Sequence, residues 1–125
     1  MEYTVDFLPD KNIVHIRVKG RLNFQLAQRY SKEAIKIARL NKCRCFILDH
    51  TETLLKDDVN KLHSSGEELQ QFGFKNTDKI AIIVPQKSKN SIHYEALNEN
   101  SRMSILKYFF SGDFSTANKW LNNPE

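Results

Sequence analysis

Residues that interrupt or staple a chain are scarce. With 3 Pro and 4 Gly in 125 residues, a collagen-like or Pro/Gly-rich disordered chain is excluded. The 2 Cys, Cys43 and Cys45, are too few for a disulfide scaffold. On one strand they would share a side of the sheet at a spacing too strained for a mutual disulfide. There is no C-x-x-C pair, and a metal reading would need His50 or His63 to join the thiols, so two buried free thiols are expected. No apolar run approaches the roughly 18 residues of a membrane span, and no signal-peptide pattern is visible. The expectation is a soluble, cytoplasmic domain without a membrane span. A Walker loop, a nucleophile elbow and an H-E-x-x-H helix are missing too.

What is present is an ordinary globular mixture: 40% hydrophobic and 27% charged residues, with a net charge of +4. One domain over residues 1–125 is expected, since single domains cluster at roughly 100–150 residues. Tyr3-Thr4-Val5-Asp6-Phe7 alternates with the period of a strand. The turn formers Pro9-Asp10-Lys11-Asn12 lead to Val14, Ile16 and Val18, which alternate with His15, Arg17 and Lys19. This predicts a hairpin whose second strand has one dry and one wet face and ends at Gly20.

Over residues 23–40 the period becomes helical. Leu26, Ala27, Tyr30, Ala34, Ile37 and Ala38 form one stripe, with Asn23 as N-cap. Cys45-Phe46-Ile47-Leu48 is a continuous apolar run ending at Asp49, as in a strand covered on both faces, and residues 50–56 read as a loop. A second helix is expected over 58–72, with Gly73 as C-cap. A buried strand follows over 80–84, a third helix over 91–102 and an edge strand over 105–110. A last helix, capped by Asp113 or Ser115, carries Phe114, Ala117, Trp120 and Leu121 inward. The order is β-β-α-β-α-β-α-β-α, a mixed sheet with parallel crossovers.

That order resembles the STAS domain, the fold of the SpoIIAA-like anti-sigma factor antagonists, over nearly the whole chain. The most specific point is the junction after the third strand. There Leu48-Asp49-His50-Thr51 and Leu54-Leu55-Lys56-Asp57 match the family's Asp, its hydroxyl residue and its second Asp. The next residues are Asp58, Val59 and Asn60, where the antagonists carry Ser, Ser or Thr, and Gly. The phosphorylated hydroxyl would fall on Val59, so the resemblance implies a module without that serine switch. The C-terminal Tyr108-Phe109-Phe110, Gly112-Asp113, Ala117 and Trp120-Leu121 resemble the SpoIIAA-like branch.

Ligands of parallel sheets gather beyond the C-terminal strand ends. One such segment, 49–58, is acidic; the other, 86–90, carries Lys87, Ser88 and Lys89 before a helix start suited to an anion. A phosphoacceptor pairing of Asp49 with Lys87 lacks the further carboxylates a metal would need. Seven Lys/Arg against one acidic residue lie over 21–44, and Arg29, Lys32, Lys36 and Arg39 make a basic helix face, read here as solvated. No aromatics interleave with it, so nucleic acid is not an expected partner. His15, His50, His63 and His93 are scattered, and Ser64-Ser65-Gly66 sits inside a helix, so no enzyme is expected.

The expectation is a non-enzymatic, STAS-like interaction module without cofactor. It would bind an unidentified protein through Asp49, Thr51, Asp57, Asp58 and Asn60. The alternative is a small amphipathic or anionic ligand held by Lys87, Ser88 and Lys89. A homodimer is left open.

Overall fold

A computed structural model of the chain describes residues 3–21, 24–54, 71–75, 77–84, 106–110 and 114–122. Strands β1 (Tyr3–Leu8) and β2 (Ile13–Arg21) form the expected antiparallel hairpin, closed by Asn12 at a φ of 55°, which asparagine tolerates. Helix α1 (Phe24–Leu40) follows. Then come β3 (Cys45–Leu54), β4 (Lys79–Val84), β5 (Leu106–Phe110) and helix α2 (Phe114–Asn122). The five strands form one mixed α/β sheet in the order β1-β2-β3-β4-β5, with every pair after the hairpin parallel.

The helices expected over 58–72 and 91–102 lie outside the described residues, except that 71 and 72 are helical. Gly73 follows them at a φ of 114°, in keeping with a C-cap, and an added Cβ there would meet Ile35 Cδ1 at 3.3 Å. Asn23 and Asp113, two expected caps, lie outside the described residues too. Ser115 is not a cap, because α2 already begins at Phe114.

The pleat divides the core. Val14, Ile16 and Val18 of β2, Phe46 and Leu48 of β3, and Ile80 and Ile82 of β4 pack against Leu26, Tyr30, Ala34 and Ala38 of α1. Phe46 and Phe74 meet there edge to face, 5.0 Å between centroids. On the other face Ile13, Ile47, Ala81, Ile83 and Phe109 pack against Ala117 and Leu121 of α2. Lys79 lies 5.3 Å from the Trp120 ring and donates to the Trp120 carbonyl at 3.1 Å.

Burial on both faces corrects one expectation. The presumed wet face of β2 holds Ile13 and His15, both buried, because Ile13 lies in the cluster that α2 covers on that face and His15 lies against Asp49 of β3. Arg17 and Lys19, further along, are exposed as expected, and the strand runs one residue past Gly20.

Helix α1 ends in a Schellman turn. The Cys43 N–H reaches the Ala38 carbonyl at 2.8 Å and the Lys42 N–H the Arg39 carbonyl at 3.3 Å, with Lys42 left-handed at a φ of 54°. Arg39 then grips fully buried Asp78 with two bonds, of 3.1 and 2.8 Å, and Asp78 also accepts the Lys75 N–H. This joins the end of α1 to the start of β4, and it removes Arg39 from the basic face on which the sequence placed it. Both cysteines are free thiols. Cys43 is buried but precedes β3, while Cys45 is half-buried, so they do not share one strand. Burial pushes both thiols up from their ordinary pKa.

Candidate functional site

Strand β3 does not stop at Asp49. It runs on to Leu54 beside Lys19, Gly20 and Arg21 of β2, and the segment expected as a loop is largely strand. A bulge makes this extension work. Arg17 pairs with Asp49 and Lys19 with Glu52, so two residues of β3, His50 and Thr51, oppose Val18 alone. The extra residue resets the alternation of faces. Asp49 and Glu52 both join Arg17 and Lys19 on one face, while His50 and Thr53 are both buried.

On the buried side, the Thr53 hydroxyl donates its single proton to the Val18 carbonyl at 2.7 Å. It must therefore accept from His50, whose Nδ1 lies 2.9 Å away, which assigns the proton to Nδ1. Tyr30 of α1 meets the His50 ring edge to face at 6.5 Å. These contacts fix the strand behind the bulge.

On the outer side, Asp49 Oδ1 accepts the Thr51 N–H at 2.9 Å and the Thr51 hydroxyl as well. Asp49 Oδ2 lies 3.4 Å from His15 Nε2. Burial raises the Asp49 pKa, but the bonds from His15 and Thr51 outweigh it and hold the carboxyl down at about 2. Asp49 is thus a fixed anion bracing two strands. The exposed Lys19 and Glu52 pair at 3.5 Å. Arg17, Val18, Lys19, Asp49, Thr51 and Glu52 line a shallow groove of about 210 Å³. That is below the roughly 300–1,000 Å³ of small-molecule pockets.

The Thr51 hydroxyl donates to the Asp49 carboxylate and not to an imidazole, so His15, Asp49 and Thr51 do not assemble an activated nucleophile. Among the described residues no three His, Cys, Asp or Glu side chains gather as metal ligands. No helix among the described residues is long and apolar enough to cross a membrane.

Of the residues selected from sequence, Asp49 and Thr51 meet in this groove. Asp57, Asp58 and Asn60, with Lys87, Ser88 and Lys89 of the alternative site, lie outside the described residues. Arg17 and Lys19 were missed as site residues. They are thirty or so positions away from Asp49 and reach it only through the parallel register of β2 on β3. No family model matches the chain, and no similarity to a curated protein was found.

Proposed function

We propose that the chain is a non-enzymatic, STAS-like interaction module that receives a protein partner on the outer surface of the β2–β3 bulge. The observation that carries this reading is the bulge itself. It sets two cations, Arg17 and Lys19, beside the carboxylates Asp49 and Glu52 on one open face. A mosaic of both signs with Asp49 pinned in place suits a surface that selects by charge register and contributes more to encounter and specificity than to raw affinity. The groove is too small and too open for a ligand reading at this place. The STAS resemblance of Asp49 and Thr51, and a mixed sheet led by an antiparallel hairpin, support the same reading.

Cross-linking in the native host, read at Lys19, tests it. One partner is expected to cross-link to Lys19 in the wild type and to be lost from a variant carrying Arg17→Glu and Glu52→Lys. Both side chains are exposed, so the fold is expected to survive the reversal. Equal capture by both proteins overturns the reading. So does a stoichiometric small molecule found on the purified chain by native mass spectrometry.

A further inference from the structure

The outer surface of α1 lies on the opposite side of the sheet from the bulge and takes no part in the function proposed above. Gln25, Arg29, Lys32, Lys36 and Leu40 follow one another at three- and four-residue steps and form a single outward stripe. The stripe from Arg29 to Leu40 is about 16 Å long. Its cations are unspent: among the described residues, none of Arg29, Lys32, Lys36 and Lys42 belongs to an ion pair. The one acid of the helix, Glu33, accepts the Tyr3 hydroxyl at 2.6 Å and is drawn toward β1. Arg39, held by Asp78, is withdrawn from the stripe.

Two further features belong to the same end of the helix. Leu40 is 76% exposed, the one large apolar side chain so placed among the described residues. Next to it, Lys42 occupies the left-handed position of the Schellman turn, where glycine is the residue without strain. A lysine here costs conformational energy and adds a cation beside Leu40.

We infer that this stripe docks on an anionic lipid surface, with Arg29, Lys32, Lys36 and Lys42 at the headgroups and Leu40 entering the boundary with the acyl chains. The apolar face of α1 stays in the core, so the contact is peripheral and reversible. A planar anionic surface satisfies a convex row of cations without shape complementarity. Unlike the bulge, where cations stand beside carboxylates, the stripe presents charges of one sign around one apolar side chain, the pattern that an anionic lipid surface attracts. Phosphates of a nucleic acid would satisfy the cations but leave Leu40 in water, and the stripe carries no aromatic on which a base could stack.

Co-sedimentation with vesicles tests the inference. The intact chain is expected to pellet with phosphatidylcholine vesicles containing phosphatidylserine, to stay in solution with phosphatidylcholine alone, and to be released by high salt. Each headgroup-facing cation contributes about fivefold to binding, so Lys32→Gln with Lys36→Gln lowers the vesicle partition coefficient about 25-fold. A separate Leu40→Ala lowers it several-fold at unchanged salt dependence. All three positions are exposed, and an unchanged circular dichroism melt shows that the variants are folded. The inference is overturned if the wild type ignores anionic vesicles at low salt, or if the double variant pellets as the wild type does. It is equally overturned if duplex DNA, and not vesicles, is bound through the same lysines.

Discussion

Two carboxylates show how differently one residue type is used. Asp78 is fully buried and bound by the Arg39 guanidinium and the Lys75 N–H, so its charge holds α1 against β4. Truncating one partner of such a pair strands the other. Asp78→Ala is expected to lower stability by about 3 kcal/mol, read as a shifted urea midpoint at constant m value. Asp49 carries its effect in acid. Its folded pKa of about 2 lies below the unfolded carboxylate value of ~3.9, so below that value the unfolded chain binds more protons. The stabilisation is complete above about pH 4 and is lost as the pH falls toward 2, about 1 kcal/mol once solvent screening is allowed for. Urea titrations of wild type and Asp49→Asn check this: the wild type should lose more stability than the variant across that window, and parallel curves would contradict it.

At the scale of elements, most of the sheet was readable, because alternation in β1 and apolar runs in β3 and β4 follow directly from the pleat. The second half of β3 was not. Asp49-His50-Thr51-Glu52-Thr53 has the composition of a loop, and only the bulge makes His50 and Thr53 a buried pair. The β-branched Thr51 and Thr53 ahead of Leu54 were the available hint of a continuing strand. Two of the six groove residues were found for a simple reason. Asp49 and Thr51 are neighbours in sequence, while Arg17 and Lys19 come to them by a register that no local pattern encodes. The bulge also carries its own prediction. With Thr51 deleted, Val18 opposes His50 alone between the Arg17–Asp49 and Lys19–Glu52 pairs, the ladder becomes regular, and every later side chain keeps its face. The deletion is expected to leave a folded protein with native-like amide dispersion and an Asp49 pKa raised by the lost Thr51 bonds, both measured by NMR.

For the whole molecule, the net charge of +4 resolves into place. Residues 1–62 hold 12 Lys/Arg and 8 Asp/Glu, and residues 63–125 hold 7 of each, so the excess of 12 − 8 = 4 sits in the first half. There the structure removes Arg39 into an ion pair, sends Arg17 and Lys19 to the bulge, and leaves Arg29, Lys32, Lys36 and Lys42 along the outside of α1. That α1 covers one side of the sheet and the bulge opens on the other has an electrical meaning. A helix and a sheet together are about 20 Å thick, more than twice the ~8 Å over which salt screens charge in the cell. The sheet thus acts as a partition between two independent electrostatic surfaces. Charge changes on one side should go unnoticed on the other: Arg17→Glu combined with Lys32→Gln and Lys36→Gln should alter the unfolding free energy by the sum of the separate effects, within about 0.5 kcal/mol. Each surface can then be altered by substitution without retuning its counterpart.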